Sequence, residues 1–222
     1  MNVKICGVCR PEDAVAAAAA GADHIGVILA RGGPRGQTLE QAAAILGALS
    51  NAGRPAGEEA SAPSRVGVFV DASADEVIRA ARLLDLSVAQ LHGDEPPGTV
   101  RAVRDAGLRA WKAIRVRDRD SFLAGLDTYG EDADALLLDG WAAHARGGAG
   151  VRFDWSEIAG VRPLARDIVQ IWVAGGLGPD TVAEAIRVLS PEGVDVSTGV
   201  ETEPGVKDHA LVAAFVRAAR ER

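Results

Sequence analysis

Asp139 and Cys6 each close a short apolar run, Leu136-Leu137-Leu138-Asp139 and Val3-Lys4-Ile5-Cys6. A carboxylate in that position reads as catalytic when the run is a barrel strand, because barrel active sites gather at strand ends. A free thiol there is by default a small buried hydrophobe. The same thiol also begins Cys6-Gly7-Val8-Cys9, the Cys-x-x-Cys spacing of a redox pair between a strand and a helix. Two glycine turns, Ala174-Gly175-Gly176-Leu177 and Ser197-Thr198-Gly199-Val200-Glu201, follow further apolar runs. Lacking a Cβ, such turns let backbone N–H groups approach an anion closely, which suits a phosphate. Gly32-Gly33-Pro34-Arg35 supplies a guanidinium, Gln90-Leu91-His92-Gly93-Asp94 a polar cluster, and 147–150 another glycine run. The histidines His24, His92, His144 and His209 show no ligand spacing and no second cysteine pair exists, so no metal site is expected.

These residues need strands to carry them. Near-continuous apolar runs at 3–6, 24–29, 66–70, 87–91, 110–114, 135–138, 169–173 and 194–197 have the composition of parallel strands buried on both faces. Helical periodicity lies between them: Ala42, Ile45, Leu46 and Leu49 fall at i, i+3, i+4, i+7, as do Val182, Ala185, Ile186 and Leu189. Thr38 with Gln41, and Ser73 with Glu76, have capping-box spacing, and Pro11 and Pro179 suit first-turn positions. The last helix is expected at 208–220, and the stretch 155–160 is the shortest. Eight βα units in one series predict an α/β fold, a single (βα)8 TIM barrel with eight parallel strands spanning 1–222. Right-handed crossovers gather all C-terminal strand ends on one face, where the loops after strands 7 and 8 commonly hold phosphate. The Gly/Pro/Ala/Ser-rich stretch 51–64 is expected to be a flexible insertion between helix 2 and strand 3, on the opposite face.

With 31 acidic against 24 basic residues the net charge is −7, which argues against a nucleic-acid partner. The longest apolar run, 14–22, is mostly alanine and too short to span a bilayer, so no membrane partner is expected. The N-terminal residues lack the apolar stretch of an export signal, and a cytoplasmic location with free thiols is expected.

The chain resembles the phosphoribosylanthranilate isomerase family. The resemblance rests on Lys4-Ile5-Cys6-Gly7, Arg10-Pro11-Glu12-Asp13-Ala14, Gly21-Ala22-Asp23, Pro34-Arg35, Val66-Gly67-Val68-Phe69-Val70 and Gln90-Leu91-His92-Gly93-Asp94. It continues through Lys112-Ala113-Ile114-Arg115-Val116, Leu137-Leu138-Asp139, Phe153-Asp154-Trp155, Ala174-Gly175-Gly176-Leu177, 193–201 and Pro204-Gly205-Val206-Lys207-Asp208. No single block is diagnostic; their order from residue 4 to about 208 is.

The resemblance implies an Amadori rearrangement of an N-phosphoribosyl aromatic amine to an aminodeoxyribulose phosphate, without cofactor or metal. It implies Asp139 as the acid that opens the ribose ring and Cys6 as the base that takes the proton from sugar carbon 2. It further implies Arg35 as the fork for the anthranilate carboxylate, and Gln90, His92 and Asp195 in supporting roles along the pocket. Gly175, Gly176, Thr198 and Gly199 would hold the phosphate of a small phosphosugar substrate. A base near neutral pH needs some thiolate, so Cys6 is expected to titrate at or below its usual range. Departures from the family pattern cluster on the aromatic side: Ile28-Leu29 for an aromatic residue, Gly33 for Ser, Ala149 for Thr, and Trp141 close behind Asp139. They leave open a relative acting on a different aromatic amine. A thiol redox protein using Cys6 and Cys9 is the reading from another class. Monomer and homodimer are both compatible with the sequence.

Overall fold

The barrel strands sort their side chains by parity. In this computed structural model, which describes residues 1–30, 32–51, 62–140 and 153–221, eight parallel strands close into a barrel in chain order. They are β1 (Asn2–Ile5), β2 (His24–Ile28), β3 (Ser64–Phe69), β4 (Val88–Leu91), β5 (Arg109–Val116), β6 (Ala135–Gly140), β7 (Gln170–Val173) and β8 (Gly193–Val196). Closure comes from β8 pairing back on β1, with Lys4 opposite Asp195. Val3 and Ile5 of β1, Ala89 and Leu91 of β4, Leu136 and Leu138 of β6, and Val194 and Val196 of β8 join the large outer core. Val66, Val88, Trp111, Ala113, Ala135, Leu137 and Trp172 form a separate inner cluster. Because side chains alternate faces along a strand, Lys4, Gln90, Asp139 and Asp195 share the inner parity.

The helices that cover the outer face are α1 (Pro11–Ala19), α2 (Leu39–Gly47), α3 (Ala74–Leu84), α4 (Pro97–Asp105), α5 (Arg119–Tyr129), α6 (Trp155–Ala159), α7 (Val182–Leu189) and α8 (His209–Arg220). Thr38 and Ser73 make full capping boxes with Gln41 and Glu76, and Pro11 opens α1. Pro179 does not open α7: Thr181 is the cap, and Pro179 sits in the preceding turn, where Thr181 Oγ1 accepts the Gly178 N–H at 2.9 Å. A hairpin of β9 (Glu201–Glu203) and β10 (Val206–Lys207), turning at Pro204-Gly205, lies between β8 and α8. The sequence had shown no strand there. Cys6 stands one residue beyond β1, and Asp139 lies within β6 rather than after it. Residues 52–61 of the expected insertion, the glycine run 147–150, and Trp141, His144 and Ala149 lie outside the described residues. Among the described residues no helix is long and apolar enough to cross a membrane.

An aromatic cluster fills the inside of the barrel near the N-terminal ends of the strands. Trp111 and Trp172 stack 4.3 Å apart by centroid, and His24 packs on both at 5.1 and 5.0 Å. Gly193 makes room for it, since a Cβ there would lie 2.6 Å from the Trp172 ring. His24 is buried, and among the described residues neither ring nitrogen has a hydrogen-bond partner. Burial, then the positive charges of Arg109 and Lys4, push its pKa down to about 4.

A histidine with a depressed folded pKa is neutral in the fold, so its contribution to stability is full above the unfolded value near 6.5 and is lost as pH falls towards 4. At pH 5 the loss amounts to about 2 kcal/mol relative to neutral pH. His24→Phe keeps the stacking and removes the titration. Urea unfolding at pH 7 and pH 5 should show a smaller acid loss in the variant; equal losses would contradict this account.

Candidate active site

At the C-terminal ends of the strands a cavity of about 670 Å³ opens. Cys6, Arg35, His92, Asp139 and Asp195 all line it. So do Gly175, Gly176 and Thr198, with Ile28 and Leu29 supplying an apolar wall. Eight of the ten residues expected at the site therefore meet in one place. Gln90 and Gly199 do not reach the cavity surface. Gln90 is fully buried within β4, a layer below the mouth, and acts on its neighbour instead.

That neighbour is His92. Gln90 Nε2 lies 2.8 Å from His92 Nδ1, and His92 Nε2 lies 3.1 Å from Asp139 Oδ2. An amide nitrogen only donates, so Nδ1 accepts and Nε2 carries the proton that faces the carboxylate. Gln90, His92 and Asp139 thus form a hydrogen-bonded row that fixes where the carboxylate points. The loop carrying His92 is itself pinned from below. Lys112 Nζ donates to the carbonyls of Leu91 and Gly93 at 3.2 and 2.8 Å and to Glu95 Oε2 at 3.2 Å. Glu95 in turn accepts the backbone N–H groups of Asp71 and Gly93.

Across the mouth, Cys6 sits beside a buried ion pair. Lys4 Nζ donates to Asp195 Oδ1 at 2.9 Å, and Lys4 is wholly buried. Burial pushes the Cys6 thiol up and Asp195 adds to that, while Lys4 and then Lys207 pull it down. The balance lies above the ordinary cysteine value, not at or below it as expected from sequence. Removing a thiolate from water costs more than these two cations return. Cys6 and Cys9 are both free thiols. Cys9 Sγ faces the carbonyl oxygens of Gly7 at 3.5 Å and Arg35 at 3.8 Å, contacts that a disulfide with Cys6 does not require.

Arg35 meets a partner the sequence reading missed. Its Nε and Nη2 clasp the Glu201 carboxylate at 2.9 and 2.6 Å. Glu201 also accepts Lys207 Nζ at 2.7 Å, and Lys207 donates to the Ser197 carbonyl at 3.1 Å. The side edge of the guanidinium is thereby spent on Glu201, and its Nη1/Nη2 end edge is the one left for a ligand carboxylate. Gly7, at φ +64°, keeps clear of this arm: a Cβ there would come 2.8 Å from both Arg35 Cδ and Ser197 Oγ.

Gly175 and Gly176 both take left-handed backbone, φ 76° and 66°, the conformation that makes glycine necessary. Thr198 to Val200 form a single 3-10 turn beside them. Gly199 is the middle residue of that turn, and a Cβ there would overlap the Leu177 carbonyl oxygen. Lys4, Glu201 and Lys207 are the functional residues sequence reasoning passed over. Lys4 alone carried a local signal, a charge set inside the apolar run Val3-Lys4-Ile5.

The family model for N-(5'-phosphoribosyl)anthranilate (PRA) isomerase matches residues 3–218. N-(5'-phosphoribosyl)anthranilate isomerase of Rubrobacter xylanophilus is 45% identical over 219 residues, covering 99% of this chain and 98% of that protein. Among solved structures, phosphoribosyl anthranilate isomerase of Thermotoga maritima superposes with TM-score 0.85 at 32% identity, covering 99% of this chain and 98% of the other. A phosphoribosyl anthranilate isomerase in complex with reduced 1-(o-carboxyphenylamino)-1-deoxyribulose 5-phosphate gives TM-score 0.81 at 30% identity, with coverage of 99% and 98%.

Gly199→Ala forces the turns after β7 and β8 apart. The variant should melt several degrees lower, the shift that 1–2 kcal/mol gives a chain of this size. Inorganic phosphate should raise the Tm of the native protein, and the variant should lose that rise. Unchanged phosphate protection in the variant would remove Gly199 from the anion site.

Proposed function

The chain belongs to the phosphoribosylanthranilate isomerase family, and on that premise we propose that Asp139 is the general acid and Cys6 the general base of its reaction. The reaction turns N-(5'-phosphoribosyl)anthranilate into 1-(2-carboxyphenylamino)-1-deoxyribulose 5-phosphate, a step of tryptophan biosynthesis. The observation that carries the assignment is topological. Asp139 on β6 and Cys6 after β1 face one cavity, and β7 and β8, which bear the glycine turns, stand between them. A phosphosugar anchored on those turns through its phosphate extends its ring past both groups.

Asp139 gives a proton to the ribose ring oxygen, the bond from that oxygen to carbon 1 breaks, and the amine nitrogen's electron pair forms the Schiff base. Cys6, as thiolate, then takes the proton from carbon 2. The electrons shift to give an enolamine, which tautomerises to the ketone, so substrate and product are isomers. His92 orients the acid, since its Nε2–H meets Asp139 Oδ2. Arg35 receives the anthranilate carboxylate on its free edge, and Ile28 and Leu29 give the aromatic ring an apolar wall. Gly175, Gly176 and Thr198 cradle the phosphate, with Gly199 shaping the turn beneath. The thiol is high enough that only a minority of Cys6 is thiolate at neutral pH, so the rate should rise with pH through the thiol's titration. The enzyme acts in the cytoplasm, as monomer or homodimer, on this phosphosugar.

Cys6→Ala and Asp139→Asn should each lower kcat roughly 10²–10⁴-fold, with KM little moved, because neither group is needed for ground-state binding. Loss of anthranilate-type fluorescence measures the turnover. Near-full kcat in either variant would strip that residue of its role. Arg35→Lys keeps the charge but loses the planar fork. It should raise KM for the natural substrate and leave KM for an analogue without the carboxylate nearly unchanged; equal losses on both would show that Arg35 does not read the carboxylate.

A further inference from the structure

We propose that Lys4 is a positioning residue that holds the Cys6 sulfur ready to act as base, and that Asp195 limits how strongly it does so. The inference rests on the assignment of Cys6 above. Lys4 and Cys6 lie two residues apart, on the same face, with Lys4 in β1 and Cys6 just past its end. Their closeness is marked by Gly26 on β2. A Cβ at Gly26 would lie 3.0 Å from Lys4 Cε and 3.1 Å from Cys6 Sγ, so the ammonium arm and the sulfur flank a single point. Gly26 therefore leaves the two side chains room to meet. Lys4 is wholly buried and its ammonium is anchored on Asp195 at 2.9 Å. Burial works to discharge it, yet Asp195 and then Cys6 outweigh burial and keep it protonated.

The charges that face Cys6 come from four directions. They are Lys4 of β1, Asp195 of β8, Lys207 of β10 and Arg35 after β2. Lys4 is the strongest of the groups that favour thiolate, and Asp195 opposes it. A buried cation next to a thiol favours the thiolate because its field is little screened there. The pair gives Cys6 a cation that is fixed in place before substrate arrives, with part of its field cancelled by the carboxylate that fixes it.

The two partners have opposite signs, and that makes the test. In a Cys9→Thr background, which leaves Cys6 as the single thiol, the pH dependence of iodoacetamide alkylation and of thiolate absorbance near 240 nm reads the Cys6 titration directly. Lys4→Met should move it to higher pH and slow alkylation at pH 7.5 about ten-fold, the effect of one pKa unit. Asp195→Asn keeps an oxygen to accept the Lys4 hydrogen bond while dropping the charge, so it should move the titration to lower pH. The alkaline rise of kcat/KM should follow in each case. An unmoved titration in folded Lys4→Met, or shifts of the same sign in both variants, overturns the proposal. Should Lys4→Met fail to fold, Asp195→Asn decides alone: no downward shift overturns it. Loss of the base assignment is read separately, by the kcat of Cys6→Ala.

Discussion

Each barrel strand is only four to eight residues long and covered on both faces, so a side chain has two destinations. One parity meets the helices, and the other meets seven strands across a space that side chains alone must fill. A slip of one residue would carry Lys4, Gln90, Asp139 and Asp195 into the outer apolar layer and bring valines and leucines to the mouth. The chemistry at the cavity depends on register before it depends on any single contact. Inner positions are aromatic near one end, with His24 packed against the Trp111–Trp172 pair, and turn charged towards the other.

Buried charges are tolerable only in company. Lys4, Lys112 and Lys207 are buried cations, each within hydrogen-bond reach of a carboxylate (Asp195, Glu95 and Glu201), and the half-buried Arg35 shares Glu201 with Lys207. Such pairs add little net stability, but removing one partner leaves an uncompensated charge and costs several kcal/mol. What they contribute here is placement. Lys112 ties down the loop that bears His92, and Glu201 sets the angle of Arg35. His92 and Arg35 at the cavity thus stand on polar supports whose dipoles are oriented in advance, as preorganised sites require.

Some of this was readable in the amino-acid sequence and some was not, and the division is physical. Asp139 announces itself because it ends an apolar run, and Gly175 and Gly176 because they form a glycine turn directly after one, whereas Cys6 by itself reads as a small buried hydrophobe and gained a role only from the family resemblance. The order of motif blocks did the rest for fold and family. Arg35 was visible as a charge, but its engagement by Glu201, 166 positions away, has no local signature. Gln90 was placed on the cavity wall because composition shows polarity and not depth. Pro179 fits a helix start by chemistry alone; Thr181 beside it, using its hydroxyl within the preceding turn, moved the helix onward by three residues. The raised Cys6 thiol reflects a sum of burial and four charges that only the folded mouth brings together.

The pairing of β1 with β8 joins residues 2–5 to residues 193–196. A ribosome makes the first of these segments long before the second. At about 5–20 residues per second, the 191 positions separating Lys4 from Asp195 take about 10–40 s to synthesise. Throughout that interval Lys4 has no counterion to enter the barrel with, and its ammonium keeps its hydration. The first strand therefore waits, edge exposed, for almost the last strand to emerge. Every earlier nascent chain is an open sheet, and the mouth of the barrel forms only once β8 has been made.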